Sequence, residues 1–217
     1  MSEPIIDPHP FPPVLPPAAT VMMMGTFPPK DDKRAMQFHY PNFQNDMWRI
    51  YGQIFFNDAD YFKRPSEKAF DGGKITAFLH ERGIASCPTV WKAIRGQDNA
   101  SDRFLQVVEA VDLAKVLVQL PHCRHICATG GKATEVLLDV VFHEGKKPKI
   151  PKTGETIDFT FHGRKLSLTR LPSTSRAYPL SLAKKTAAYR AFFEWAGLVS
   201  GRLKPYNHSH SVDDDIE

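Results

Sequence analysis

Short apolar runs recur along the chain, and the segments between them carry apolar residues at helical spacing. The runs are VMMMGTF (21–27), IASCPTV (84–90), RHICATGG (124–131) and RKLSLTRLP (164–172). Glycine, proline or polar residues bound each run. Short continuous apolar runs such as the first are typical of strands buried in a parallel sheet, and in the last run Leu166 and Leu168 alternate with polar residues as in a strand. The pattern therefore predicts four strands.

The intervening segments predict five helices. Met47, Ile50, Tyr51 and Ile54 follow the i, i+3, i+4, i+7 spacing of one helix face. Helical spacing or a capping residue marks the other four, which are GGKITAFLHERG (72–83), a helix capped by Asp112, KATEVLLDVVF (132–142) and the segment 181–195. Strands that alternate with helices favour an α/β fold, which we predict to be a three-layer α/β/α arrangement around a central, mainly parallel four-stranded sheet.

The ends of the chain differ in composition from its centre. Residues 8–19, PHPFPPVLPPAA, are rich in proline, which favours an extended arm that either lies on the domain or extends freely. Residues 204–217 have few apolar side chains and are predicted to be disordered. We therefore predict a proline-rich arm over residues 1–19, a single domain over 20–203 and a disordered tail. The basic stretch 143–159 within the domain is predicted to be a loop or a hairpin.

Composition restricts the class of protein. A chain of 217 residues with 42% apolar content is long enough for one sizeable core. A net charge of +4 permits a phosphate-rich partner without requiring one. No apolar run approaches the ~20 residues that span a bilayer. Three cysteines are an odd number that argues against a disulfide framework. We expect a soluble monomer in a reducing compartment, the cytoplasm.

Two loops follow predicted strands directly, GTFPP (25–29) and LPSTSR (171–176). Ligands of open parallel sheets bind beyond the carboxyl ends of the strands, so these loops are predicted to lie together at a binding site. GTFPP, QFHYPNFQNDMWRI (37–50) and LPSTS before a helix resemble the two signature motifs of the uracil-DNA glycosylase superfamily. The resemblance is closest to the hypoxanthine-DNA glycosylase, mismatch-specific branch and covers most of residues 20–195.

The resemblance implies a function and a set of site residues. It implies a monofunctional DNA N-glycosylase that removes uracil or hypoxanthine from DNA in base excision repair, with no cofactor and no metal, in the bacterial cytoplasm at the nucleoid. Asn45 matches the asparagine that orients the attacking water. The flipped base would contact Gly25, Thr26, Phe27, Phe38, His39 and Tyr40. DNA would be clamped by Pro172, Ser173, Thr174, Ser175 and Arg176.

Some residues depart from the family pattern. Pro29 stands where the family has glycine, and the segment between Gln37 and Asn45 is one residue longer. Arg176 and Tyr178 replace the proline and asparagine that follow LPSTS in the family, and this motif contains no histidine. The alternative function is a catalytically idle member of the same fold that binds nucleic acid.

Simpler roles compete with several of these assignments. Asn45 is also a favoured residue type at a helix N-terminus, and Asn42 is a rival for the catalytic position. The PSTS segment is also typical of a local turn stabilised by hydroxyls, and the aromatic residues of the first motif are often core residues. His122, Cys123, His125 and Cys127 are residue types that bind zinc, although their spacing matches no familiar zinc finger.

Overall fold

A computed structural model of the chain describes residues 4–96, 102–143 and 145–200. Within these residues the chain forms eight β-strands and five α-helices. In chain order they are β1 (Ile6–Pro8), β2 (Val21–Gly25), α1 (Met47–Phe55), α2 (Gly72–Arg82), β3 (Ile84–Pro88), β4 (Val90–Arg95), β5 (Leu105–Ala110), α3 (Leu113–Val118), β6 (His125–Thr129), α4 (Gly131–Val141), β7 (Thr156–Phe161), β8 (Arg164–Leu171) and α5 (Leu182–Trp195). The predicted tail, 204–217, lies outside the described residues. No helix in the described part of the chain is both long and apolar enough to cross a membrane.

The main sheet has five strands in the order β3-β2-β6-β8-β7. Strands β3, β2, β6 and β8 run parallel to one another, and β7 pairs antiparallel with β8. The four parallel strands are the four apolar runs identified in the sequence. The predicted count of four is therefore one short, because β7 lies in the stretch predicted to be a loop or a hairpin, and there it forms the first strand of a hairpin.

Helices cover both faces of the main sheet. Val21 and Met23 of β2 belong to an apolar cluster that also contains buried residues of α1, α2 and α5. Met22 and Met24, which point to the other face, belong to a second cluster with buried residues of α3 and α4. This alternation explains why the run VMMM is apolar throughout, since each of its side chains is buried on one face or the other.

A second, antiparallel sheet has the strand order β1-β4-β5. Its central strand, β4, begins two residues after β3 ends, so the chain leaves one sheet and enters the other across Thr89. Strand β1 comes from the proline-rich arm and pairs Ile6 with Ile94. The arm stays on the domain beyond β1, because the backbone N–H of His9 donates to the carbonyl of Trp91 at 2.7 Å.

Local capping explains where several helices begin. The side chain of Asp71 accepts a hydrogen bond from the backbone N–H of Lys74 at the start of α2. Asp112 caps α3 in the same way, as the sequence predicted. Ser181 caps α5, and Gly83 ends α2 in the left-handed conformation with φ 63°.

Candidate active site

A cavity of about 590 Å³ opens at the carboxyl end of the main sheet. Gly25, Pro88 and Thr129 lie in its wall at the ends of β2, β3 and β6, and Ser173 lies in its wall just after β8. The loops that follow all four parallel strands therefore meet at one site. This is the position at which open parallel sheets bind their ligands.

The two sequence motifs line this cavity together. Of the predicted site residues, the lining contains Gly25, Thr26, Phe27, His39, Tyr40, Asn45, Ser173, Thr174, Ser175 and Arg176. Phe38 is not part of the wall, because its ring packs 5.9 Å from that of Trp48, centroid to centroid. Pro172 is buried behind the wall, where its carbonyl accepts a hydrogen bond from the Tyr189 hydroxyl at 3.0 Å.

Asn45 is held at the start of α1 by its own side chain. The amide oxygen accepts a hydrogen bond from the backbone N–H of Met47 at 2.9 Å. The amide nitrogen makes no hydrogen bond to the described residues, so it is free to bind a ligand or water in the cavity. Asn42 also lines the cavity, and its amide oxygen accepts the N–H of Gln44 at 2.8 Å. The geometry therefore leaves both asparagines as candidates.

A buried ion pair ties the two motifs together. The Lys185 ammonium donates to Oδ2 of Asp46 at 2.8 Å and to the carbonyl of Ser175 at 2.7 Å. The backbone N–H of Asp46 donates to the carbonyl of Thr174 at 2.9 Å. Three bonds thus fix the position of the first motif relative to the second. Sequence reasoning missed this pair, although a lysine at position 185 shares a helix face with Tyr189, and that face is otherwise apolar.

Tyr40 lines the cavity in a strained backbone conformation. Its φ is 53°, which is rare for a bulky residue. Its hydroxyl lies 3.0 Å from Oγ1 of Thr129, and burial raises the pKa of the phenol, which stays neutral. A Cβ added to Gly25 would lie 2.6 Å from this hydroxyl oxygen. Glycine at position 25 is therefore needed to let Tyr40 approach the end of β2.

Asp102 brings a carboxyl group to the same cavity. The hydroxyl of Thr26 donates to Oδ1 of Asp102 at 2.6 Å. Burial raises the pKa of this carboxyl, while the Thr26 hydrogen bond and the positive charge of Lys132 act in the opposite direction. Sequence reasoning missed Asp102 because no motif surrounds it, and it is 76 residues away from Thr26 along the chain.

The proline-rich arm supplies another part of the wall through His9 and Phe11. The His9 ring lies edge-on to the rings of Phe27 and Trp91, with centroids 5.4 and 5.9 Å away. Burial, aided by nearby His39, lowers the pKa of His9 to about 4, so the ring is neutral at pH 7. Sequence reasoning missed this role, because much of the arm is held by backbone pairing, which leaves no side-chain signature.

The imidazole of His39 is occupied by protein contacts on both sides. Its Nε2 lies 2.8 Å from the carbonyl of Pro12, and its Nδ1 lies 2.9 Å from the hydroxyl of Ser86. Burial lowers the pKa of His39 as well. His39 therefore contributes a fixed, neutral surface to the cavity and has no ring nitrogen free for a ligand.

The second motif folds into local turns held by its hydroxyl groups. Oγ of Ser173 accepts the N–H of Ser175 at 3.3 Å, and Oγ of Ser175 accepts the N–H of Ala177 at 3.2 Å. The simpler role considered for this segment is thus present alongside its place in the wall. Arg176 is exposed at the mouth of the cavity, and its guanidinium makes no ion pair or hydrogen bond with the described residues.

The residues considered for a zinc site do not converge. Cys123 belongs to the apolar cluster on one face of the main sheet and Cys127 to the cluster on the other face. Among the residues that the structure describes, no three His, Cys, Asp or Glu side chains are grouped so that they could hold a metal ion.

Comparisons with known proteins show a likeness of fold. No family profile matches the sequence, and no curated protein matches it either. The fold is similar to the solution NMR structure of a "putative uracil DNA glycosylase" from Methanosarcina acetivorans, with a TM-score of 0.55 and 21% sequence identity. The match covers 86% of this chain and 98% of the other. At this level of identity the likeness shows a shared fold.

Proposed function

We propose that the chain is a monofunctional DNA N-glycosylase that removes deaminated bases, uracil or hypoxanthine, by hydrolysis of the N-glycosidic bond. The observation that carries the proposal is that Asn45 of the first motif and residues 173–176 of the second line one cavity at the carboxyl end of the sheet. The name of the M. acetivorans protein of similar fold supports a glycosylase in general. The finer assignment, to the hypoxanthine and mismatch-specific branch, rests on the sequence motifs.

The size and position of the cavity suit an extruded nucleotide. At about 590 Å³ it falls in the range of small-molecule sites, roughly 300–1,000 Å³. Enzymes that act on a base within duplex DNA extrude the nucleotide into such a pocket, at a cost of a few kcal/mol of unstacking. That cost is smallest for weakly paired bases, which favours deaminated bases opposite a mismatched partner.

Asn45 is proposed to orient the attacking water. Its amide nitrogen is free, and the bond from Met47 fixes the amide plane, so a water bound there is held in one direction. The oxygen of this water forms the new bond to the sugar C1′, while the C1′–N bond breaks and its electron pair leaves with the base. One water proton is lost to solvent, and the departing base takes up a proton. Because an asparagine amide is a poor base, positioning must supply most of its contribution.

Charge that develops on the departing base needs hydrogen-bond donors. The neutral hydroxyls of Tyr40 and Thr129 lie in the wall, and the backbone of the Gly25 loop is exposed to the cavity. Fixed dipoles of this kind stabilise a developing anion without reorganisation during the reaction. We propose that they assist departure of the base in the absence of a histidine in the second motif.

The second motif is proposed to bind the DNA backbone. Protein contacts to phosphates commonly use serine hydroxyls, backbone N–H groups and arginine. Arg176 is exposed at the cavity mouth beside Ser175, so a phosphate of the target strand could reach both. The proposal also includes a three-layer α/β/α arrangement, which is supported by the two apolar clusters on opposite faces of the main sheet.

The proposal is tested by base release from defined duplexes. The protein in excess is incubated with labelled duplexes that carry uracil or hypoxanthine opposite each normal base, and abasic sites are cleaved with alkali. Wild-type protein should produce breaks, and Asn45→Ala should abolish them. Asn42→Ala is the matched control, since Asn42 makes the same type of side-chain turn. Loss with Asn42→Ala alone would transfer the role to Asn42. Duplex binding without breaks for any lesion would replace the proposal with the idle nucleic-acid-binding alternative.

A further inference from the structure

The carboxyl group of Asp102 is not used by the mechanism above, yet it lies in the wall of the cavity. A carboxylate removed from water requires compensation, normally from a cation in contact with it. Among the described residues, the charged group that acts on Asp102 is Lys132, which acts at longer range. The ammonium of Lys132 is itself paired with Glu135 at 3.2 Å. A carboxyl group buried in a cleft, where burial shifts its pKa, is a candidate functional group.

The hydrogen bonds of Asp102 leave one oxygen available. Oδ1 accepts the Thr26 hydroxyl at 2.6 Å, which fixes the carboxyl plane against the end of β2. Oδ2 makes no hydrogen bond to the described residues. The carboxyl is therefore oriented by one oxygen, and the other can accept a hydrogen bond from a ligand.

Two separate elements bring this pair together. Thr26 belongs to the loop after β2 in the main sheet, while Asp102 lies just before β5 of the second sheet. Among the described residues, Tyr40 also interacts electrostatically with Asp102, and its buried phenol is neutral. The cavity thus presents a carboxyl oxygen that can accept a hydrogen bond beside a neutral phenol.

We propose that Asp102 recognises the base by accepting a hydrogen bond from the ring N–H of that base. The site therefore selects bases that carry this N–H over bases whose ring nitrogen has a lone pair at the same position. The inference rests on the proposed function, because it assigns a role within the same base pocket. Deamination changes this position in a defined way. Cytosine and adenine have a lone pair at N3 and N1, whereas uracil and hypoxanthine have an N–H there.

An ionised carboxylate discriminates between these two forms. It attracts the N–H of the deaminated base and repels the lone pair of the parent base. A hydrogen bond to a charged group changes binding by roughly 10- to 100-fold. Asp102 thus distinguishes uracil from cytosine and hypoxanthine from adenine. Thymine and guanine also carry a ring N–H, but their strong pairing in the duplex opposes extrusion and so protects them.

The test uses substrates with and without the ring N–H. Single-turnover release of uracil and of N3-methyluracil is measured with wild-type protein, Asp102→Asn and Asp102→Ala, with Asp139→Asn as a control carboxylate outside the cavity. Wild type should release uracil about 10- to 100-fold faster than N3-methyluracil, and Asp102→Ala should lose most of this preference. Asp102→Asn should raise the rate for cytosine relative to uracil, because an amide N–H can donate to the N3 lone pair. A purely structural role for Asp102 would instead lower all rates equally, and that outcome would overturn the inference.

A binding experiment separates this inference from the proposed function. Duplexes with 2′-fluoro-deoxyuridine, which resists cleavage, are titrated with the same variants, with and without the N3-methyl group. Suppose that wild type releases no base in the kinetic experiment, yet binds the duplex with the N3–H more tightly than the N3-methyl duplex, and that Asp102→Asn removes this preference. The glycosylase proposal then fails, and recognition of the base by Asp102 stands. Equal binding of the two duplexes by wild type would refute recognition by Asp102 whatever the catalytic result.

Discussion

The ammonium of Lys185 lies 2.8 Å from Oδ2 of Asp46, and the two side chains are only 1% and 6% exposed. Lys185 belongs to α5, and Asp46 lies directly between Asn45 and the start of α1. The same ammonium also binds the carbonyl of Ser175 in the second motif. One side chain therefore holds both motifs in place, and its loss should affect stability and activity together.

Lys185→Met should strongly destabilise the protein. The substitution keeps the apolar stem but leaves the Asp46 carboxylate buried without its cation, which typically costs about 3–5 kcal/mol. Urea unfolding of the variant measures this loss. Lys184→Met is the matched control, because Lys184 is the exposed neighbour on the same helix. The double variant Asp46→Asn/Lys185→Met should regain part of the stability. A double variant no more stable than Lys185→Met would show that the charge left behind is not the cause.

Gly25→Ala should impair base release more than it impairs folding. The added Cβ would lie 2.6 Å from the Tyr40 hydroxyl oxygen, so Tyr40 must move within the cavity. A displacement of about 1 Å in a catalytic site can cost on the order of a hundredfold in rate. Single-turnover kinetics and a melting curve separate the two effects. The control is Gly145→Ala, since a Cβ at Gly145 meets no atom within 4 Å. Unchanged kinetics in Gly25→Ala would argue against Tyr40 as a wall of the reacting site.

Acid should destabilise the protein through His9. Its pKa falls from 6.5 in the unfolded chain to about 4 in the folded state, because burial disfavours the charged ring. Between these values the unfolded chain binds a proton that the folded chain does not, so stability is full above pH 6.5 and declines towards pH 4. The slope contributed by one such group is at most about 1.4 kcal/mol per pH unit. Below pH 4 both states are protonated and this loss levels off.

Urea unfolding at several pH values measures the His9 contribution. His9→Gln should have a shallower decline in stability between pH 6.5 and 4 than the wild type. The charged and titratable groups near His9 are His39, Arg34 and Arg95, and the remaining decline in the variant includes the contribution of His39, whose pKa is also lowered. His80→Gln, at an exposed site on α2, is the control. Parallel curves for His9→Gln and wild type would contradict the prediction.

Arg176→Ala should weaken DNA binding without changing which base is released. If the guanidinium contacts one phosphate, its removal should reduce the slope of log K against log salt by about 0.9. Binding to duplexes with and without a lesion, measured at several salt concentrations, gives this slope. Lys115→Ala is the control, because Lys115 is 84% exposed and does not line the cavity. An unchanged salt slope would place Arg176 away from the phosphates.

The sequence predicted the parts of the structure that leave a local signature. Val21 to Met24 are buried alternately on the two faces of the sheet, so the run is continuously apolar and β2 was recognised. Strand β7 carries the alternation of Ile157, Phe159 and Phe161, but the basic, polar stretch before it obscures this pattern and favours a loop or a hairpin. Strand β1 has no apolar signature, because backbone hydrogen bonds hold it while much of its side-chain surface is exposed.

The residues of the candidate site could likewise be predicted only where a local sequence pattern marks them. Asn45, Gly25 and the residues of the second motif lie in short segments whose order can be read along the chain. Asp102 and His9 reach the cavity only through contacts with distant segments, so neither could be located by spacing. The buried pair of Asp46 and Lys185 is 139 residues apart, which places it beyond any local pattern.

The docked arm also couples the first residues synthesised to a strand that is made much later. Asp7 of the arm pairs with Arg95 at 2.8 Å, and the two are separated by 88 residues of chain. Residues 6–8 must therefore wait, without their partner strand, until β4 has left the ribosome. Closing so long a loop is slow relative to local helix formation. The wall formed by His9 and Phe11 should therefore not assemble until β4 has been made, although these residues are among the first to be synthesised.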